Sequence, residues 1–486
     1  MVAYSVLLSH GALATLLLAG WWLPARIRER MVLGASFLGV GSGAVAFALH
    51  DSSETWRAVA LDGPTTAIAP AAAVCAWLLV GVLDLGPRRY AVAVFTGVGA
   101  AGLGMFAGSQ WSVPAMLFWA VASLSLMAAI IRSQVAHRIL PLAALLLSDA
   151  LLIAALVWHA VENDVWALPS PVSDAAFWLA VGAGVVRAGA VPQGGPWALL
   201  GTGAAPAVPL LVGGGAVIAA GIGGRAEPWI AVALLVLATT IAVGGVFLRR
   251  MSIGVAAAWP AALGLAAPYV SDDGVAVGGV AVVVGATVCA LWNERSPGVS
   301  IDSAVAISFV PFTVGFTAVA VAASGAFFRT DLAESALGKA PWVVVAALLP
   351  VALAASFTYA ARIGRTVPAG TRQRRGPSWG IRALLVASLV AGGAATTTGE
   401  LGVPTARELW LLVGAGAAAA IAALVASRTK RNAVPVVGDG IELDLETLQP
   451  PKVMGRAMLF ASTAVGTASL AAIAYLTYEG LRQGFI

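Results

Sequence analysis

The chain has 486 residues, of which 60% are hydrophobic and only 10% charged, with a formal net charge of +5 and a mean hydropathy of +0.91. Soluble domains carry about a quarter charged residues, so this composition excludes a soluble enzyme and predicts an all-α, polytopic bundle of membrane helices. Its positive charge reflects topology and implies no nucleic-acid partner.

Apolar runs long enough to cross about 30 Å of hydrocarbon recur from end to end. By that rule the spans are 2–23, 31–49, 66–84, 90–108, 112–131, 138–161, 174–201, 205–223, 228–248, 253–270, 274–292, 303–327, 341–362, 381–399, 409–427 and 454–478, about sixteen in all. The first span is apolar from Val2, and Arg26, Arg28 and Arg30 follow it rather than precede it. That order is the reverse of a cleavable signal peptide and predicts a retained helix with its N-terminus outside. Alternate loops then collect the basic residues. The inner side holds 21 and the outer side six, with Arg187 alone inside a span, which accounts for the 28 in the sequence. A missed or extra span would scramble this alternation, so a multi-pass cell-membrane protein with both termini outside is expected.

Four blocks follow in chain order. Residues 1–89 carry three N-terminal helices, and 90–223 hold a first set of five. Residues 224–362 hold a second five, inverted relative to the first because the number per set is odd, and 363–486 carry three C-terminal helices. Pro192 interrupts the seventh span and Pro311 the twelfth, with Gly315 beside the second break. Broken helices at matching places in inverted halves are a way to build an ion path at mid-membrane.

Chemistry-bearing side chains are sparse. Cys75 and Cys289 lie inside apolar spans, and His10, His50, His137 and His159 lack metal or haem spacing, so no metal or cofactor is expected. Asp149 sits about eleven residues from either end of the sixth span. A carboxylate at that depth is costly unless paired, so it reads as a proton relay, a partner of Arg187, or a buried structural hydrogen bond. Arg187 lies thirteen residues past Asp174, about 20 Å of helix rise. It reads as a fixed cation in an ion path or as a side chain snorkelling to the inner face. His159, beside Glu162, reads as a point of proton access or as an interfacial residue. His10 reads as a helix-contact residue.

Four local patterns point to a family. Arg187, Pro192, Trp197, Pro206 and Pro209 run through the seventh span into the eighth. Pro311, Gly315 and Phe316 form Pro-x-x-x-Gly-Phe in the twelfth. Phe118-Trp119-Ala120 lies in the fifth, and Ser148 precedes Asp149 in the sixth. Together they resemble the antiporter-like membrane subunits shared by respiratory complex I, Mrp-type cation/proton antiporters, energy-converting hydrogenases and some inorganic-carbon uptake systems. The resemblance implies a subunit of a proton-translocating, NADH-quinone oxidoreductase-like complex that is not itself redox-active. Its implied partners are other membrane subunits, the lipid bilayer, and protons or monovalent cations. Asp149, Arg187 and His159 are then the proton-path candidates.

The departures are as informative. Where the family carries a fifth-helix glutamate, this chain has Ala120, and where it carries a seventh-helix lysine, this chain has Arg187. Residues 202–223 contain no lysine, and Val319 occupies a further titratable position. Arginine does not release its proton in proteins. The resemblance therefore implies a subunit that conducts protons or cations, or scaffolds partners that do, with most usual titratable groups lost. The alternative is a stand-alone secondary transporter of a small or lipid-linked substrate. A membrane glycosyltransferase is a third reading, resting on Asp51, Glu54 and Asp62 in one outer loop, but that loop is short.

Overall fold

The computed structural model describes residues 2–48, 55–56, 59–60, 67–83, 85, 88–109, 112–132, 139–163, 173–190, 204–221, 226–247, 261–272, 274–294 and 314–365. These residues are overwhelmingly helical. Twelve helices can be delimited by named ends: α1 (Val2–Ala19), α2 (Ala25–Ala48), α3 (Ile68–Val82), α4 (Arg89–Ala107), α5 (Ser112–Arg132), α6 (Ile139–Asn163), α7 (Asp174–Ala188), α8 (Ala207–Gly221), α9 (Pro228–Phe247), α10 (Gly274–Glu294), α11 (Val314–Leu332) and α12 (Ala336–Arg365). A further helical stretch, 261–266, runs into a 3₁₀ turn at Ala267–Tyr269. Thr55 pairs with Ala60 and Trp56 with Val59 in a two-residue antiparallel ladder. By length and composition, five helices among the described residues can cross a membrane: Ala25–Ala48, Arg89–Ala107, Pro114–Arg132, Pro141–Glu162 and Ala336–Ala355. The chain is a polytopic membrane protein.

Helix ends follow the sequence expectations closely where apolar length sets them, and depart where it does not. The second span was expected from 31, yet α2 begins at Ala25 and carries Arg26, Arg28 and Arg30 in its first turns. Hydropathy finds the hydrocarbon-spanning part of a helix, whereas the helix itself continues into the polar interface. Pro24 sets the start, and its carbonyl accepts from Ile27 N (2.9 Å) and Arg28 N (3.1 Å). The seventh span, 174–201, was expected to be interrupted at Pro192, and α7 ends at Ala188, where Gly189 adopts φ 77°. A left-handed glycine just past the last turn is a common helix stop. Pro192 and Pro311 lie outside the described residues, as do the three spans after 363. Gly315 is buried in the first turn of α11. In α12, Pro350 deprives the Ala346 carbonyl of its usual i+4 donor.

The described helices fall into two compact units, α1–α8 and α9–α12. In the first, α4 packs on α1, α3, α5 and α8, while α6 bridges α5 and α7, and α7 packs on α8. Without a hydrophobic force between helices in lipid, close approach depends on small residues. A Cβ at Gly102 of α4 would lie 2.8 Å from Ala122 N of α5, and one at Gly215 of α8 would lie 2.5 Å from Ala188 N of α7. His10 is buried on α1, and its Nδ1 accepts from Trp77 Nε1 of α3 at 3.3 Å, with the Trp77 ring against Gly39 of α2. In the second unit, α9 packs along α12, α11 joins α12 to α10, and Glu227 N donates to Tyr269 O (2.9 Å).

Candidate functional site

Inside the first unit, α5, α6 and α7 each contribute polar side chains to one cluster. Trp119 and Ser123 are four residues apart on α5 and so share a face. Ser148 and Asp149 are consecutive on α6 and point to different neighbours. Arg187 lies in the last turn of α7, where a cation also complements the helix dipole.

Arg187 Nη1 meets Asp149 Oδ1 at 2.6 Å. Nη1 also donates to Ser123 Oγ at 3.1 Å, and Nη2 donates to the same oxygen at 3.2 Å. Ser123 in turn donates to Asp149 Oδ2 at 2.6 Å. A hydroxyl has one donor and two acceptor sites, so these three contacts use its full capacity. Trp119 Nε1 donates to Asp149 Oδ1 at 2.8 Å, and the Arg187 guanidinium lies 4.4 Å from the Trp119 ring centroid. One tryptophan therefore serves both charges, with its N–H on the anion and its π face on the cation.

Packing holds the cluster in register. Trp119 is 1% exposed, with Phe106 of α4 at 4.7 Å between centroids. Gly214 of α8 lies against its far edge, where a Cβ would come 3.1 Å from Cη2. Ser148 Oγ donates to Ala183 O of α7 at 3.0 Å, one turn before Arg187. A Cβ at Gly184, on that same turn, would lie 2.9 Å from Gly215 O. The position of Arg187 is thus fixed by a side-chain bond on one flank and backbone-to-backbone approach on the other. Arg187 is 1% exposed and the Asp149 side chain 14%. Arg187 is thus buried and paired with Asp149.

The other candidates stand apart. His159 is buried on α6, ten residues beyond Asp149, which is about 15 Å of rise. Its neighbour in sequence, Glu162, is exposed and accepts from Trp158 Nε1 at 2.6 Å. Val319 is buried in α11 and Ala120 is half-buried on α5. Ser123 was not singled out from sequence. The signal was its spacing of four from Trp119 on a helix next to one carrying a mid-span acid. Among the described residues, no three His, Cys, Asp or Glu side chains converge as a metal site.

Chemically, the cluster is a closed ion pair. Three donors, from Trp119, Ser123 and Arg187, converge on one carboxylate. Arg187 can hold charge and orient its partners, but it cannot pass a proton on. Proton movement through this station would need the pair to open.

No family profile matches the chain, and no curated protein matches it. Solved structures do. The chain is similar to one in the Mrp complex from Dietzia sp. DQ12-45-1b, with TM-score 0.62 and 15% identity, over 99% of this chain and 62% of that one. It therefore spans less than two thirds of that relative's length. It is also similar to a chain of respiratory complex I from Thermus thermophilus, with TM-score 0.56 and 16% identity, over 82% and 97% of the two chains. A third likeness is to the membrane-bound sulfane sulfur reductase, an archaeal respiratory membrane complex, with TM-score 0.60 and 13% identity, over 98% and 95%. At these identities the likeness is one of fold. The chain has the fold of the antiporter-like, complex I-type membrane subunits.

Proposed function

We propose that this chain is a membrane subunit of a complex I-like or antiporter-like assembly, and that it scaffolds the partners that move ions rather than moving protons itself. One observation carries the reading. The position where the resembling subunits keep a titratable lysine is held here by Arg187, paired at 2.6 Å with Asp149 and bonded to Ser123. A proton relay needs groups that both take up and release protons near working pH. Arg187 does not release one, and Ala120 and Val319 have none to give. The same pair supports a structural role, because it ties α5, α6 and α7 together in a medium where unpaired charge is expensive.

Partners are then other membrane subunits, as the implied assembly requires, and the termini lie on the outer face, as the basic-residue asymmetry supports. The test is affinity purification of the tagged full-length chain from native membranes in mild detergent. Stoichiometric co-purification of further polytopic subunits is the expected result. A chain recovered alone that transports a substrate in proteoliposomes would instead establish the stand-alone transporter.

A further inference from the structure

A second polar assembly, separate from the ion pair, lies where α1 ends and α2 and α4 begin. Tyr90 is its hub. Its hydroxyl donates to Leu17 O, its ring meets Trp21 edge-on at 5.7 Å, and the Arg28 guanidinium lies 5.6 Å from its centroid. A Cβ at Gly20 would fall 2.6 Å from Met31 Cε and 2.7 Å from the Tyr90 hydroxyl, so the turn is packed tightly on this hub.

What the hub presents outward is specific. Trp22 is 91% exposed, and Trp21, Leu23 and Ile27 are 40%, 40% and 46% exposed. Arg26 and Arg30 are exposed on the next turns. Residues 24–31 carry three arginines against one acid, Glu29. Arg28 Nε is buried and has no hydrogen-bond partner among the described residues. A buried guanidinium donor without an acceptor is costly. Nearby Arg89 shows the contrast, because its Nε and Nη2 are spent on the Val80 and Gly81 carbonyls at 2.9 and 2.7 Å.

Exposed tryptophan beside apolar residues marks the depth of lipid headgroups. Clustered arginine at that depth favours negative charge, and guanidinium matches phosphate oxygens in particular. We infer that the α1–α2 turn, with Trp22, Arg26, Arg28 and Arg30, binds the phosphate of an anionic phospholipid, with the lipid chains lying along the exposed apolar side of α2. Phe37 and Leu38 on that side are 82% and 60% exposed. The phosphate supplies acceptors to the exposed Arg26 and Arg30 side chains, with the Arg28 guanidinium behind them over the Tyr90 ring.

Native mass spectrometry of the full-length chain tests this, using mixed micelles of equimolar phosphatidylglycerol and phosphatidylcholine. Wild type is expected to retain phosphatidylglycerol at least tenfold over phosphatidylcholine. Each arginine near an anionic surface contributes about a fivefold gain, so Arg26→Gln with Arg30→Gln should cut retention by tenfold or more. Arg26→Lys with Arg30→Lys keeps the charge and should stay within about threefold of wild type. This second pair reports on the site even if the glutamine pair folds poorly. Arg132→Gln removes an exposed arginine elsewhere and should change retention less than twofold. Equal retention of both lipids, or an equal loss from Arg132→Gln, would overturn the site. So would full competition by free glycerol phosphate at equal concentration, since the headgroup alone would then suffice.

Discussion

Replacing Asp149 by asparagine removes one charge and one acceptor oxygen from the cluster. The amide is isosteric, but its single oxygen can keep the bond from Trp119 Nε1 at the Oδ1 position or that from Ser123 Oγ at the Oδ2 position, now 2.8 and 2.6 Å, and not both. What changes is Arg187, which is 1% exposed and loses the carboxylate at 2.6 Å. Breaking a buried pair from one side costs about 3–5 kcal/mol, because the surviving charge has nowhere to go. Removing both charges with well-packed neutral groups is close to neutral. The expected pattern is therefore a loss of about 3–5 kcal/mol in Asp149→Asn, a similar loss in Arg187→Met, and recovery of much of it when Asp149→Asn and Arg187→Met are combined. Unfolding free energy in detergent, measured around this double-mutant cycle, is the assay. Losses in the two single variants that simply add in the double variant would refute the reasoning, because they would show the pair is not coupled.

Three further outcomes are expected. Ser123→Ala removes one donor and two acceptor contacts to charged partners and should cost about 2 kcal/mol in the same assay. Gly215→Ala places a methyl 2.5 Å from Ala188 N and should lower stability by about 1–3 kcal/mol, whereas Gly11→Ala meets Ala101 Cβ at an ordinary 3.6 Å and should be near neutral. A single cysteine at position 372 in a cysteine-free background should resist a membrane-impermeant thiol reagent applied from outside, and rapid labelling there would reject the proposed orientation.

Much of this fold was legible because lipid simplifies the code. Apolar length located the described helices α1 and α3–α10 to within a few residues at their starts, since no competing soluble core blurs the pattern. The exceptions are informative. The arginines at the head of α2 hid a continuing helix from a hydropathy reading. The end of α7 at Gly189 depends on a backbone conformation that apolar length does not register. At the candidate site, Asp149 and Arg187 stood out because isolated charges inside spans are rare. Ser123 did not, because a serine in an apolar helix ordinarily bonds its own backbone, as Ser36 does to Val32 O at 2.8 Å. Only its spacing of four from Trp119 set Ser123 apart, and that spacing by itself does not tell it from a serine bonded within its own helix. The Tyr90 hub and the His10–Trp77 contact join residues more than sixty positions apart, and only the packed bundle brings them together.

The most direct test of the central claim is proton flux through the isolated chain. Purified protein is reconstituted into liposomes containing a pH-sensitive dye, and a potassium diffusion potential is imposed. With Arg187 unable to pass a proton and Asp149 closed on three donors, flux should match protein-free liposomes and should be the same in Asp149→Asn. Potential-driven flux well above that baseline in wild type, abolished by Asp149→Asn, would show that the pair opens to conduct and would contradict the scaffold account.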